Sequence, residues 1–234
     1  MMPLSMQRRA VVEAAHALSR LRLVTAYGHV SARASAAMLI TPAADLATVT
    51  EPALVEVPLE ASTLPATAPG EAWAHLALYR ARPDAGAVAR AQPTGAVAAA
   101  AATTSLAPLH GPAAWLGESV PVHDSAHLLR SAELAERAAR SLPAGEALLL
   151  RGNGALTLGA TPGVAVARMW LLSGACDAFL ATLAAGRVEP LTAEEIATWR
   201  AVGDELLPRL WRHLRRHGTR ESPAVEVPGE RGLA

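Results

Sequence analysis

The stretch EAWAHLALYRARPDAGAVARAQPTG, residues 71–95, decides the fold of this chain. Its first half carries apolar residues on successive helical turns and predicts a helix that ends near Pro83, because proline disfavours a continued helix. The apolar run at residues 85–91 is short and follows turn residues, which indicates a buried strand. Residues 95–103 are rich in alanine and predict a second helix. Helix, strand and helix in this order favour a layered α/β structure.

The rest of the chain continues this alternation of helices and strands. Residues 147–150 and 156–158 predict two strands on either side of a glycine-containing turn at 152–154. Residues 221–234 are rich in Pro, Gly and Glu and have little to bury, so we expect a disordered tail after a single domain spanning 1–220. The remaining predicted elements are helices at 8–21, 128–142, 162–185 and 192–217, and strands at 38–41 and 54–59.

Composition excludes several classes of function. The chain of 234 residues has a formal net charge of zero and scattered arginines, so no charged surface for nucleic acid is expected. All 21 basic residues are arginine, and without a lysine amine the chain cannot form the imine that class I aldolases and pyridoxal-phosphate enzymes require. Its single cysteine, Cys176, excludes an intrachain disulfide.

Location is predicted from the same features. The start of the chain lacks the basic and then apolar pattern of a signal peptide. The apolar stretch at residues 96–102 is too short to span a bilayer. Together with the unpaired cysteine, these features favour a cytoplasmic protein with no membrane contact.

Four blocks of the chain resemble the class II aldolase/adducin family, in the family's order and spacing. Residues 71–95 are similar to a family pattern that reads roughly E-x-x-x-H, Y, ARPD and AVVHTHP, and ALLLRGNGALTLGATPGVAV at 147–166 to one that reads LLRNHG or LLRGHG. LVTAYGHVSAR at 23–33 resembles the family's G-N/H-x-S-x-R loop, and MLITPAADL at 38–46 its LITPSG strand and turn. The resemblance covers roughly residues 11–186. It implies a three-layer α/β/α fold around a central, mostly antiparallel sheet.

The three metal-binding histidines of that family have no counterpart in this chain. Arg90 and Gln92 stand at the two histidines of the family's H-x-H, and Asn153 stands at the third. Imidazole nitrogens suit zinc, whereas a guanidinium offers only donors, and amide oxygens bind harder ions weakly without carboxylate help. We therefore expect neither a metal ion nor another cofactor at this place.

Glu71 matches the family's acid/base carboxylate, which moves a proton at the reacting carbon. We expect Glu71 and Arg90 to face each other, either as an ion pair or on two sides of a small anionic ligand, because an arginine fork can bind a carboxylate through two nitrogens. The alternative is that the pair only fills the space of the family's metal site. His75 lies four residues after Glu71 on the same helical face, where the family often has a histidine as well, and it is more simply a polar surface or interface histidine.

Three further loops bind phosphate in the sugar-phosphate aldolases of the family. In this chain they read GHVS at 28–31, TPAA at 41–44 and APG at 68–70, so alanine and proline replace most of the polar side chains that a phosphate needs. The residues that remain for substrate binding in the first loop are Gly28, His29 and Ser31. The histidine variant of that loop resembles the family branch that acts on non-phosphorylated, often aromatic or carboxylated substrates, including decarboxylases.

Two functions follow from the resemblance. The first is a metal-independent lyase-type enzyme on a small non-phosphorylated substrate that can carry a carboxylate, with Glu71 as acid/base and Arg90, Gln92 and Asn153 as a polar clamp. The second is a non-catalytic, adducin-like pseudoenzyme that serves as a binding or assembly subunit beside a paralogue. The resemblance also implies a homotetramer with sites at subunit boundaries.

Overall fold

An eight-stranded sheet runs through the computed structural model, which describes residues 3–216. The strand order is β3-β2-β1-β4-β8-β7-β6-β5. The described pairings are antiparallel, except that β6 runs parallel to β7. The strands are β1 His29–Ala34, β2 Ala37–Ile40, β3 Val55–Pro58, β4 Ala87–Ala91, β5 Ser105–Leu106, β6 Val120–His123, β7 Ala147–Leu150 and β8 Gly154–Gly159.

Helices cover both faces of this sheet and confirm the predicted three layers. On one face lie α2 and α4, packed on each other and on apolar residues of β2, β3, β7 and β8. The other face carries α1, α3, α5 and α7. The helices are α1 Leu4–Arg20, α2 Ala72–Ala81, α3 Thr94–Ala102, α4 Ala132–Arg140, α5 Pro162–Ala184, α6 Ala193–Ala201 and α7 Gly203–Leu214.

Strand β1 lies where the sequence predicted a loop, and that prediction is wrong. Its side chains alternate between the two faces of the sheet, as they must in a strand. Val30 and Ala32 enter the core beneath α1 and α5, whereas Ser31 contacts His75 of α2 on the opposite face. The alternation of apolar and polar residues was visible in GHVSAR and would have indicated a strand.

Two predicted helices are shorter than expected. The predicted helix at 128–142 is α4 alone, which begins after Ser131 because the Ser131 hydroxyl caps it by accepting from the Leu134 N–H. The residues just before Ser131 are not helical, and among them the backbone N–H of Leu129 donates to Glu71.

The predicted helix at 192–217 is two helices, α6 and α7, separated at Val202. The break lets α6 pack against the 3₁₀ turn Gly111–Leu116 while α7 packs against α5. Trp199 of α6 and Trp115 of that turn form the contact, with the Trp115 indole N–H donating to the Trp199 carbonyl. The predicted end of this helix at 217 and the tail at 221–234 lie outside the described residues.

Helix α5 is long and apolar enough to cross a membrane by length and composition alone. Half of its most apolar window is nevertheless buried within this fold, against the sheet and neighbouring helices. Partial burial of this kind is typical of a core helix, so the length and composition of α5 are weak evidence for a membrane span.

The turn between β7 and β8 places Asn153 in the site. It requires glycine at position 154, where φ is +80° and an added Cβ would lie 2.2 Å from the Ala91 carbonyl oxygen. Because this turn packs closely against β4, Asn153 lies next to Arg90, the neighbour of Ala91 on that strand.

We predict that Gly154→Ala lowers the free energy of unfolding by more than the roughly 1–3 kcal/mol expected from a strained backbone alone, because it also creates a clash. The control is Gly186→Ala, since Gly186 has a similar φ of +79° but no atom within 4 Å of the added Cβ. Urea unfolding of both variants measures the difference. Equal losses in the two variants would show that the approach to Ala91 is not tight.

Candidate active site

A cleft of about 1020 Å³ opens at one end of the central strands. Its walls come from the segment before β1, the loop after β2, the start of α2, strand β4, the segment before α4 and the β7–β8 turn. The lining residues are Thr25, Ala26, Tyr27, Gly28, His29, Ala43, Ala44, Asp45, Pro69, Gly70, Glu71, Arg90, Gln92, Leu128, Arg130 and Asn153.

A closed network of hydrogen bonds and one ion pair forms the floor of the cleft. Arg90 Nη2 lies 3.0 Å from Glu71 Oε2, and both residues are buried. Arg90 Nη2 also donates to Asn153 Oδ1, to which Gln92 Nε2 donates at 3.0 Å. Glu71 Oε1 accepts from Asn153 Nδ2 at 2.9 Å and from the Leu129 N–H at 3.2 Å. The expected ion pair between Glu71 and Arg90 is therefore present in the structure.

The guanidinium of Arg90 is only partly satisfied by this network. Its Nε and Nη1 are buried and have no hydrogen-bond partner among the described residues. A guanidinium binds a carboxylate through two nitrogens along one edge, and each such edge includes Nη2. Because Nη2 contacts Glu71 and Asn153, Arg90 has no free fork, and its two unpartnered nitrogens lie beneath the surface of the cleft.

The residues at the family's metal position do not fit a zinc ion. Burial lowers the pKa of Arg90 while the Glu71 carboxylate raises it, and an arginine stays protonated in proteins. A permanent cation at the first ligand position repels a metal ion, and the Asn153 carbonyl that could bind one already accepts from Arg90 and Gln92. Within residues 3–216, no three His, Cys, Asp or Glu side chains form a group that could hold a metal ion.

A chain of buried polar side chains leads from the cleft wall into the layer between the sheet and α2. The His29 and His75 rings meet edge to face, with centroids 5.9 Å apart. His75 Nδ1 lies 2.8 Å from the Ser31 hydroxyl, which lies 2.8 Å from the Tyr79 hydroxyl. Two ring nitrogens, His29 Nδ1 and His75 Nε2, are buried without a partner among the described residues.

Burial keeps both histidines neutral. It lowers the pKa of His29 from 6.5 to about 4, with a further lowering by the positive charge of Arg90. Burial also lowers the pKa of His75 well below 6.5, helped by His29 and Arg90. The burial of Tyr79 raises the pKa of its hydroxyl.

The structure brings most of the residues singled out from the sequence into one cleft. Gly28 and His29 line it together with the four members of the floor network. An added Cβ at Gly28 would lie 3.2 Å from the Arg90 carbonyl oxygen, so this position needs a small residue. Ser31 is the exception: it is fully buried, its hydroxyl contacts His75 and Tyr79, and it does not line the cleft.

Sequence reasoning missed Arg130 and Asp45, which both line the cleft. Arg130 was assigned to a helix, and nothing in its own segment links it to residue 71, which lies 59 positions earlier in the chain. Its position is set by tertiary contacts, including the bond from the neighbouring Leu129 N–H to Glu71.

Comparison with known protein families agrees with the fold. The family model described as "Class II Aldolase and Adducin N-terminal domain" matches residues 9–180. This chain belongs to that family. None of the functionally curated proteins matches it.

Solved structures show which family members this chain is similar to. L-Fuculose-1-phosphate aldolase from Thermus thermophilus is 29% identical, with a TM-score of 0.71 over 80% of this chain and 100% of that one. An aldolase II superfamily protein from Pseudomonas syringae is 23% identical, with a TM-score of 0.76 over 92% and 93% of the two chains. L-Fuculose 1-phosphate aldolase from Glaciozyma antarctica is 19% identical, with a TM-score of 0.75 over 91% and 89%. The last two similarities concern the fold alone.

We predict that Arg90→Ala lowers the free energy of unfolding by roughly 3–5 kcal/mol, because it leaves the buried Glu71 carboxylate without its charged partner. The double variant Glu71→Ala/Arg90→Ala should lose less than the sum of the two single variants. Urea unfolding of the set gives the coupling free energy. The control is Arg151→Ala, whose ion pair with Asp124 is exposed and should contribute less than about 1 kcal/mol; a similar loss in both arginine variants would contradict the prediction.

We predict that stability falls as the pH drops from 6.5 towards 4, partly through His29. Because burial gives His29 a pKa of about 4 in the folded state, the unfolded chain takes up a proton first as the pH falls. The stability is therefore present above pH 6.5 and is lost towards pH 4. His29→Gln should reduce this loss when urea unfolding is compared at pH 7.5 and 4.5, and an unchanged difference would show that His29 does not contribute.

Proposed function

We propose that this protein is a lyase-type enzyme that works without a metal ion on a small non-phosphorylated substrate in the cleft. The observation that supports this most is the pair of buried Arg90 nitrogens, Nε and Nη1, beside the Glu71 carboxylate. Buried donors without acceptors are costly, and a substrate oxygen that enters the floor of the cleft would satisfy them. The reaction class is aldol or retro-aldol cleavage, decarboxylation or related proton transfer.

Glu71 would act as the acid/base. Its Oε1 accepts from Leu129 and Asn153, whereas Oε2 is paired only with Arg90 among the described residues and retains a free lone pair. Oε2 can take a proton from a carbon next to a carbonyl group, and the electrons of that C–H bond move onto the carbonyl oxygen. In the cleavage direction, Oε2 takes the hydroxyl proton, and the electrons of the broken C–C bond form the same enolate.

Arg90 would stabilise the enolate oxygen, in the place where the family uses its metal ion. A fixed positive charge with N–H donors in a partly buried site stabilises developing negative charge without reorganising. Asn153 would position both partners, since its carbonyl accepts from Arg90 and its amide donates to Glu71. Gln92 would fix the orientation of Asn153 by donating to the same carbonyl.

A non-phosphorylated substrate is favoured by the walls of the cleft. Ala43, Ala44 and Pro69 line it in two of the loops that hold phosphate in family aldolases, and none has a polar side chain. Proline also lacks a backbone N–H. A phosphate group in this position would therefore meet few donors.

The second candidate is a non-catalytic binding or assembly subunit of the adducin type. The observation that favours it is the closure of the floor network, in which Asn153 and Glu71 Oε1 are already satisfied by protein groups. In that case the ion pair fills the family's metal position and has a structural role. A neighbouring gene for an intact family member would favour this candidate as a partner subunit.

Assembly and location complete the proposal. We propose a cytoplasmic, single-domain protein spanning residues 1–220 that forms a homotetramer, as the family resemblance implies. Tyr27 and Leu128 at the cleft are 68% and 48% exposed, which supports an additional subunit nearby. Light scattering after size exclusion measures the number of copies.

The central test is hydrogen exchange with hydroxyacetone and pyruvate in D₂O, followed by NMR. The protein should accelerate loss of the C–H signals next to the carbonyl, and Glu71→Gln should slow this exchange at least about a hundredfold, because general acid/base catalysis contributes that much. Glu56→Gln on the exposed side of β3 is the control and should have no effect.

Metal independence is tested on the same reaction. Elemental analysis of untagged protein purified without chelator should find well below one metal ion per chain, and added chelator should leave the exchange rate unchanged. Stoichiometric metal together with loss of exchange in chelator would contradict the proposal. Absence of exchange in a stably folded wild-type protein would favour the non-catalytic candidate.

A further inference from the structure

Arg130 is a second positive charge in the cleft, and it differs from Arg90 in what it can bind. It lies in the segment before α4, and its side chain is exposed and lines the cleft. Within residues 3–216 its guanidinium makes no ion pair and no side-chain hydrogen bond. Both of its two-nitrogen edges are therefore free for a ligand.

The position of Arg130 is fixed from two sides. Its side chain lies against Gly70, where an added Cβ would be 3.3 Å from the Arg130 Cγ and Cδ and 3.4 Å from Nε. On the other side, the backbone N–H of the preceding residue, Leu129, donates to Glu71 Oε1. The Arg130 side chain therefore lies beside the loop that holds Glu71, and its backbone follows a residue that bonds the carboxylate.

The surroundings of Arg130 suit a group with one negative charge and two oxygens. Planar guanidinium and carboxylate groups match each other through two parallel hydrogen bonds. Asp45, another lining residue, adds a negative charge to the cleft, which repels a doubly charged phosphate more than a singly charged carboxylate. Its Oδ1 accepts from the Ala47 N–H, which holds the carboxylate in place.

We infer that Arg130 binds the carboxylate of the substrate, while Arg90 binds the oxygen that becomes negatively charged in the reaction. The substrate class is then a small keto or hydroxy acid. The inference rests on the proposed function for the role of Arg90, and Arg130 itself takes no part in the chemistry. Arg90 cannot hold the carboxylate through two nitrogens, because Nη2 is occupied by Glu71 and Asn153.

The experiment compares the binding of pyruvate and hydroxyacetone, which share a three-carbon ketone skeleton and differ in the carboxylate. Ligand-observed NMR titration of the full chain should show pyruvate binding about fivefold more tightly than hydroxyacetone, since an exposed ion pair contributes up to about 1 kcal/mol. Arg130→Ala should remove this preference and leave hydroxyacetone binding unchanged. Arg140→Ala is the matched control, since Arg140 is an exposed arginine of α4 that does not line the cleft.

Three outcomes would overturn the inference. The first is no preference for pyruvate in the wild-type protein, and the second is a preference that persists in Arg130→Ala. The third is tighter binding of dihydroxyacetone phosphate than of pyruvate that depends on Arg130, which would assign the position to phosphate. Thermal unfolding of Arg130→Ala should match that of the wild type, because the side chain is exposed.

The deuterium exchange test separates this inference from the proposed function. If Glu71→Gln abolishes exchange while Arg130→Ala keeps the preference for pyruvate, the role of Arg130 is wrong and the proposed chemistry stands. If Arg130→Ala removes the preference while the wild type shows no exchange, the carboxylate site is upheld and the lyase reaction is wrong.

Discussion

The buried ion pair between Glu71 and Arg90 holds together the parts of the molecule that form the cleft. Glu71 stands at the first turn of α2, and Arg90 lies in the central strand β4. The pair also fixes Asn153 of the β7–β8 turn and the backbone of Leu129 before α4. Charges are costly to bury unless they are paired and hydrogen-bonded, so each of these segments must stay in place for the others to be stable.

In the proposed function a guanidinium takes the role that a metal ion has in the family, and this limits what the site can bind. A metal ion with open coordination positions can bind two oxygens of one substrate. In Arg90, Nη2 already contacts Glu71 and Asn153, and the two remaining nitrogens, Nε and Nη1, do not share an edge of the guanidinium. A site of this kind can stabilise one oxygen but cannot bind a carboxylate through two nitrogens. Arg130, which has no ion pair within residues 3–216, would supply a two-nitrogen edge beside the Glu71 loop. Two arginines would thus divide work between charge stabilisation and substrate binding.

The sheet separates residues that are neighbours in the sequence. His29 and Ser31 belong to one short motif and lie on the same face of β1, yet His29 lines the cleft while Ser31 is buried beneath α2. A distance of two residues along a strand is about 6–7 Å, which is enough to pass from the cleft wall to the core. The motif therefore contributes one residue to the cleft and one to a polar chain that supports it through His75 and Tyr79.

Local sequence determined the elements that have strong patterns of their own. The helix that follows Glu71, the buried strand with Arg90 and the glycine turn around Asn153 were all predicted, because proline, apolar runs and glycine act over a few residues. The four ordered blocks also indicated the family. That resemblance predicted that Glu71, Arg90 and Asn153 lie close together although they are far apart in the chain. Strand β1 was missed although its apolar and polar residues alternate. Helix α4 was predicted to start too early, because the backbone of Leu129 bonds to Glu71 instead of joining the helix.

Only the tertiary structure decided how the polar groups share their hydrogen bonds. The sequence could place Arg90 beside Glu71, but it could not show that Nη2 is occupied while Nε and Nη1 have no partner among residues 3–216. Nor could it place Arg130 against Gly70, since these residues are 60 positions apart and belong to no common motif. Hydrogen-bond partners depend on ångström-scale distances between segments that fold together, and a one-dimensional pattern does not contain those distances.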